Sequence, residues 1–353
     1  MSVDIRNLKI GYAPYPEFQT SQANERRFVY YAKQKKIAFE IADPNKKFDL
    51  IYVTHGADLS VWSDYQKDGT KIAFELTDSY LSIPAYSFKN LLRGVARYIT
   101  GQHKYLLFNH SKTIESMCKR ADAVVCSTIE QKKYIETLCP NTHIILDSKH
   151  MFKRVKRSYA IDKEINIVWE GLPYNIKSFS VIKNALSVLN KRYKVNLHMI
   201  TSIEYGKYMG EYIKKQTIND VRKMFDVNAI YLYEWNIHTC SEIAGACDLA
   251  VIPMNKDDPM DWGKPENKLL NFWLMGLPTI TSATPAHMRA MAKAELSMTC
   301  SSEEQWIELL EYYIKNLNDR ELAANKGFAF ASSVCNEKVI VSQYDDVMNS
   351  VIN

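Results

Sequence analysis

The sequence predicts an α/β protein built as two Rossmann-like domains facing across a cleft. Three observations carry that expectation. Short β-branched or aromatic runs alternate along the chain with helical patterns, as in α/β layering. The runs are almost continuously apolar, as strands of parallel sheets covered on both faces are. The alternation also starts afresh after a basic, low-apolar stretch, SKHMFKRVKRSYAIDKE (148–164). At 353 residues the chain can form two domains, each with its own core.

In the first half, LKIGYAP (8–14), FDLIYVT (48–54), TKIAFELTD (70–78), ADAVVCST (121–128) and NTHIILD (141–147) read as strands. Helical patterns lie between them over 21–36, 88–118 and 129–138. In the second half the strands are INIVWEG (165–171), VNLHMITS (195–202), AIYLYEW (229–235), LAVIPM (249–254) and PTITSA (278–283). Helices are expected near 178–192, 238–246, 265–275 and 302–315, and from 318 to the end. The domain boundary falls at 155/156. The chain has no internal repeat and no low-complexity tract.

Composition narrows the function. Hydrophobic residues make up 46% and charged residues 24%, ordinary for a soluble enzyme. A formal charge of +5 is too modest for wholesale nucleic-acid binding. Seven cysteines stand singly at 118, 126, 139, 240, 247, 300 and 335, with no Cys-x-x-Cys. They suggest neither a disulfide framework nor a zinc ribbon, and fit a reducing, cytoplasmic setting. The N-terminus lacks an apolar stretch of signal-peptide length. No apolar run approaches the ~18 residues of a membrane span, so contact with a membrane would be peripheral, on its inner face.

A dinucleotide site would need Gly-x-Gly-x-x-Gly after a first strand. The first strands here lead into GYAPYP and EGLPYN, each with one glycine, and there is no P-loop. The stretch GKPENKLLNFWLMGLPTITS (263–282) is more telling. Pro265 suits the first helical position, and Lys264 and Lys268 flank it where the helix dipole favours an anion. A phosphate or diphosphate at that helix start answers the two cations. The same spacing also fits solvated lysines compensated by Glu266, Asp257, Asp258 and Asp261.

KPENKLLNFWLMGLPTITS resembles the C-terminal nucleotide-sugar motif of GT-B glycosyltransferases, particularly the retaining family 4 type. CDLAVIPM (247–254) is similar to the strand just upstream of that motif. INIVWEGLPYNIKS (165–178) resembles the opening strand and loop of the family's second domain, with Gly171 in the loop and Lys177 at a phosphate-binding position. FDLIYVTHGAD (48–58) resembles the first-domain strand ending in a histidine, and ADAVVCSTIEQKKYI (121–135) its strand-serine-helix segment. The resemblance implies the GT-B fold, a C-terminal helix (335–353) returning to the first domain, and transfer from a nucleoside-diphosphate sugar with retention. Where the family carries a ribose-holding glutamate this chain has Asn271, and the paired earlier glutamate falls at Gly263. Glu266 could stand in for one of them.

On this reading Lys268, Lys177 and Lys264 meet the leaving diphosphate. No Asp-x-Asp motif occurs, so no metal cofactor is expected. His55 would contact the donor sugar or place the acceptor, or it is a satisfied loop histidine. Asp78 would accept from an acceptor hydroxyl, or cap a turn. Glu242, shortly before Asp248, is a lesser donor-side candidate. Between Ser79 and Ile114 there is no acid, while Lys89, Arg93 and Arg97 share one helix face. Such a helix could meet an anionic membrane or hold an anionic acceptor, lipid-linked or phosphorylated, or simply solvate its charges while Leu91, Leu92, Val95 and Ile99 enter the core. For the transferase as a whole the expected acceptor is a glycan, a lipid-linked group or another hydroxyl. A non-catalytic nucleotide-sugar-binding subunit and a sugar-nucleotide epimerase on the same fold are the competing readings.

Overall fold

Each half of the chain builds a six-stranded sheet in which every pairing is parallel. The structure is a computed structural model, described over residues 4–16, 22–66, 69–82, 88–206, 214–222, 224–225 and 227–352. The side chains of residues 22, 23, 88–91 and 93 lie outside the described set. The chain divides into two compact units, Met1–Ser148 with Asn336–Asn353, and Lys149–Cys335.

The first unit contains β1 (Ile10–Ala13), β2 (Glu40–Ile41), β3 (Leu50–Thr54), β4 (Lys71–Leu76), β5 (Ala123–Cys126) and β6 (Thr142–Ile144). They lie in the order β2-β1-β3-β4-β5-β6. Registers such as Ile51↔Ile72 and Phe74↔Val124 align the apolar runs. β3 and β5 are buried at every position because helices cover both faces, which is why the sequence shows runs and not alternation. On one face Tyr12, Phe28, Tyr52 and Tyr344 form the core, with the Phe28 and Tyr52 rings stacked at 4.4 Å. Tyr344 comes from the helix Glu337–Ile352, which Tyr31 also joins through its hydroxyl to Asp345 (2.9 Å). On the other face Leu59, Trp62, Ile114 and Met117 pack under Ile51, Val53 and Phe74.

The second unit holds β7 (Glu164–Glu170), β8 (Lys194–Thr201), β9 (Glu204–Gly206), β10 (Lys214–Gln216), β11 (Ala229–Glu234), β12 (Leu249–Ile252), β13 (Thr279–Ser282) and β14 (Thr299–Cys300). Its sheet runs β11-β8-β7-β12-β13-β14, the doubly wound Rossmann order once the small antiparallel pair β9–β10 is set aside. Val168, Leu197, Leu249, Val251, Ile280, Leu270 and Trp273 are all fully buried in its interior. Arg320 is buried as well, and is satisfied by donating to the carbonyls of Tyr159, Tyr313 and Ile314.

Several expectations for elements need correction. The helix expected over 178–192 is a 3-10 segment, Pro173–Val181, followed by the α-helix Lys183–Asn190. The run from 318 to the end breaks into Leu317–Val334 and Glu337–Ile352. The helical pattern over 88–118 splits into Phe88–Ile99 and His110–Arg120, with Asn109 capping the second piece through Lys112 N (3.1 Å). The segment over 21–36 opens as a 3-10 turn, Gln22–Arg26, before the α-helix Phe28–Lys35. The hairpin strands β9 and β10 were not anticipated, because neither EYG nor KKQ carries an apolar pattern.

Candidate functional site

In a doubly wound sheet the crevice for a ligand opens at the carboxyl ends of the strands, where the order reverses. In the second unit that point lies between β7 and β12. β7 ends at Glu170 and leads into Gly171. Lys268 reaches this turn from the helix Asn267–Leu274: its Nζ donates to the Glu170 carbonyl (3.0 Å) and lies 5.5 Å from the centre of the Trp169 ring. A Cβ at Gly171 would stand 2.5 Å from Trp169 Cζ2 and 2.6 Å from Lys268 Nζ, so the turn and the lysine can approach this closely only with glycine there.

The helix itself starts two residues later than Pro265. Glu266 occupies the cap position without a capping hydrogen bond from its side chain, and Asn267 is the first helical residue. The placement of Pro265 at the first helical position is therefore corrected. Prolines do open neighbouring helices, at Pro259 behind the Asp258 cap and at Pro285 behind Thr284. Lys268 stands in the first turn, whereas Lys264 lies before the helix.

Asn271 lies one turn beyond Asn267, on the same helix face. It is 9% exposed, and among the described residues its Oδ1 has no hydrogen-bond partner. Asn267 Oδ1 is unpartnered in the same way. Buried carbonyl oxygens left in this state cost about 1–3 kcal/mol each, so this helix face has acceptor capacity to offer a hydroxyl or amide donor. His287 is also nearby and almost fully buried; its Nδ1 lies 3.2 Å from the carbonyl of Ser282, the last residue of β13. Burial pulls the His287 ring down to about 4; the Ser282 bond opposes this and the charge of Lys268 reinforces it. The imidazole is thus neutral near pH 7 and donates from Nδ1. Glu266 is half-buried, and burial raises its carboxyl above the usual range against the pull of Arg289, Lys293 and Lys149.

The other expected cations are already matched with carboxylates. Lys264 Nζ sits 2.5 Å from Asp261 Oδ1, a buried carboxylate that also accepts from Ser178 Oγ and Asn255 N (3.1 Å each). That network ties Lys264 to a buried carboxylate. Lys177 pairs with Asp258 at 3.3 Å with its side chain 67% exposed, so it remains displaceable. Glu242 is exposed on the helix Ile237–Gly245. Asp248, which follows it, accepts from Asn166 N near the start of β7, at the amino-terminal edge away from Gly171.

In the first unit the order reverses between β1 and β3. His55 directly follows β3 and is 7% exposed. Its Nδ1 faces Tyr15 Oη at 3.0 Å and Thr77 Oγ1 at 3.2 Å. Its Nε2 is 3.7 Å from Asp78 Oδ2, beyond hydrogen-bond reach, and the Asp78 side chain is 45% exposed. Tyr15 lies just past the end of β1, edge-on to the imidazole at 4.9 Å. Gly56 leaves room for that ring, since a Cβ there would stand 2.3 Å from Tyr15 Cδ1.

Two residues of this crevice escaped sequence reasoning. Tyr15 donates to Glu75 Oε1 (3.0 Å), and Tyr52 donates to Glu75 Oε2 (2.9 Å). Glu75 sits 1% exposed as the penultimate residue of β4. A lone acid inside the apolar run IAFEL was the signal available for it. Burial raises its carboxyl, while Arg27 and the two tyrosine hydroxyls pull it back. Arg27 is buried and is held by Asp147 (2.7 Å), Ile145 O (3.0 Å) and Ser127 Oγ (2.9 Å). Burial lowers the His55 ring to about 4, with Asp78 opposing.

On the basic helix, the side chains of Lys89, Arg93 and Leu91 lie outside the described residues. Arg97 is half-buried, its Nη1 3.4 Å from His103 Nε2. Leu92 and Ile99, expected in the core if the helix were only structural, are 51% and 75% exposed. The following loop is tied back to the helix by His103 N to Arg97 O (3.0 Å), and exposes Tyr105, Leu106 and Phe108. Among the described residues no helix is long and apolar enough to cross a membrane.

No family model matches the sequence, and no curated protein matches it. Solved structures do match. The Anabaena protein Alr3699/HepE, in complex with UDP and glucose, is 12% identical, with 98% of this chain and 100% of that chain covered and a TM-score of 0.65. Sucrose-phosphate synthase from Thermosynechococcus elongatus is also 12% identical, over 90% and 75% of the two chains, with a TM-score of 0.59. TarM is 10% identical, over 86% of this chain and 55% of that one, with a TM-score of 0.56. At these identities the likeness concerns the fold, which is the two-domain GT-B fold of these proteins.

Proposed function

We propose that the protein is a glycosyltransferase that moves a sugar from a nucleoside-diphosphate sugar to a hydroxyl acceptor, with retention and without a metal ion. The observation that carries the reading is the buried, unpartnered Asn271 Oδ1 on the helix that also brings Lys268 to the β7 turn. In this assignment Asn271 takes a hydrogen bond from a donor hydroxyl, where a carboxylate would add charge. Departure of the sugar builds charge on the diphosphate, and Lys268, Lys177 and the helix start stabilise it. The complexes of HepE with UDP and with UDP-glucose support a uridine nucleotide as the first donor to try.

The test is a thermal-shift screen against UDP, GDP, ADP and CDP and their sugars, with and without EDTA. A ligand bound only by the folded state at ~100 times its Kd adds about 2.7 kcal/mol, a readily measured rise in Tm. One nucleotide should give such a rise, unchanged by EDTA. No rise with any of them sinks the reading. Binding without sugar turnover would favour a non-catalytic nucleotide-sugar-binding subunit, a rival kept in play by asparagine standing where the family has glutamate.

The acceptor assigned here is lipid-linked, on the cytoplasmic face of a membrane. Support comes from the exposed Leu92, Tyr98, Ile99, Tyr105 and Phe108 in a segment without a single acid between Ser79 and Ile114. The protein should sediment with vesicles rich in phosphatidylglycerol, and less so as salt is raised. The paired change Ile99→Ser and Phe108→Ser should release it. Equal recovery with phosphatidylcholine vesicles, or none with either, would overturn this assignment.

A further inference from the structure

The hydrogen-bond chain Glu75–Tyr15–His55 constrains where the imidazole proton sits. A tyrosine hydroxyl has one proton to give. Tyr15 Oη lies 3.0 Å from Glu75 Oε1 and 3.0 Å from His55 Nδ1, so it can donate to only one of them. Burial raises the Glu75 carboxyl, with Arg27 and the hydroxyls of Tyr52 and Tyr15 opposing it; the ionised form is the one to which Tyr15 donates. The Tyr15 proton then points to the carboxylate, and the Tyr15 oxygen turns a lone pair toward Nδ1. Two lone pairs would face each other at 3.0 Å unless Nδ1 carries the proton. Thr77 Oγ1, 3.2 Å from the same nitrogen, can accept from it or donate to it, so it is compatible with that tautomer and does not decide it.

Asp78 pulls the other way, because a carboxylate near Nε2 favours a proton there. It is 3.7 Å distant and nearly half exposed, whereas the Tyr15 contact is short and shielded from water. The shorter, less screened interaction decides the tautomer.

We infer that Tyr15 and Glu75 are positioning residues that hold His55 as its Nδ1–H tautomer, leaving Nε2 as a hydrogen-bond acceptor for a substrate hydroxyl at the β1–β3 crevice. The substrate hydroxyl rests on the glycosyl-transfer reading; the tautomer does not. A consequence is built into the chain. When Glu75 takes a proton, it donates to Tyr15, Tyr15 donates to Nδ1, and the proton on the ring moves to Nε2. The acceptor at the crevice then becomes a donor, without any movement of heavy atoms.

The experiment is nitrogen NMR on the full chain with labelled histidine, with His55 assigned by the loss of its signals in His55→Gln. At pH 7.5 the wild type should show His55 Nδ1 protonated and Nε2 unprotonated. Tyr15→Phe removes the oxygen and leaves Asp78 as the stronger draw, so the ring should change to mainly Nε2–H. An unaltered set of the other histidine signals in Tyr15→Phe would show that the fold is intact. A wild-type ring protonated at Nε2, or a Tyr15→Phe ring still protonated at Nδ1 in a folded protein, overturns the inference. The UDP thermal shift, which reads the second unit, separates this outcome from failure of the glycosyl-transfer reading.

Discussion

Lys268→Ala should weaken binding of the nucleoside diphosphate by about 10- to 100-fold, equivalent to the ~1.5–3 kcal/mol of a hydrogen bond to a charged group. The lysine has little structural work that alanine would forfeit. Its Nζ donates to the Glu170 carbonyl and rests beside Trp169, and it is half-buried, so the folded state should survive. What is lost is the one cation standing both in the first turn of the helix and against the Gly171 turn. Lys177→Ala should cost less. That lysine must first leave Asp258, and its exposed position lets water screen whatever it gains. Isothermal calorimetry with UDP, or with whichever nucleotide gives the thermal shift, checks both. Equal losses in the two variants would mean that the helix start has no special part in binding.

Arg27→Met should destabilise the first unit by about 3–5 kcal/mol, the range for removing one partner of a buried ion pair. The guanidinium side chain is 4% exposed and bonds Asp147, Ser127 and the carbonyl of Ile145 together. Methionine fills similar volume but leaves the Asp147 carboxylate and Ser127 without that donor, and removes the positive charge that opposes the burial of Glu75. Glu75 can take up a proton and recover part of the cost; Asp147, bonded directly, recovers less. The second unit does not share the network. Urea unfolding followed by fluorinated tryptophan would separate the two, since Trp62 is the one tryptophan in the first unit and the other five lie in the second. The Trp62 signal should shift to lower urea while the rest hold. A change below about 1 kcal/mol would mean that the buried carboxylates find other partners.

The strands were legible because burial on both faces writes them as unbroken apolar runs: LIYVT in β3 and LAVI in β12 have no solvent side to mark. The helix that carries Lys268 was legible too, though its first residue was misplaced. A proline signals that a helix can begin, and Asp258-Pro259 shows the same signal a few residues upstream, where a separate turn takes it up. Pairing in space was hidden. Arg27 and Asp147 are 120 residues apart, and Tyr15 meets Glu75 across 60, so nothing in a local window connects them. Lys264 shows the cost of this blindness. Its charge suggested a phosphate, while the buried partner that claims it, Asp261, was visible only as one of several nearby acids. His55 and Lys268 could be named from their place at strand and helix ends. The tyrosine and glutamate behind His55 could not, because their relevance depends on which strands are neighbours.

The first unit closes over its own sheet with residues from opposite ends of the chain. Tyr344, Val347 and Met348 of the helix Glu337–Ile352 pack beside Tyr12, Phe28 and Tyr52. During synthesis that wall is missing until the residues that follow the second unit have been made, whereas Lys149–Cys335 holds every residue of the second unit. The half that is translated first is therefore the half that is completed last, and a ribosome stalled anywhere before residue 337 leaves an uncovered aromatic surface on it.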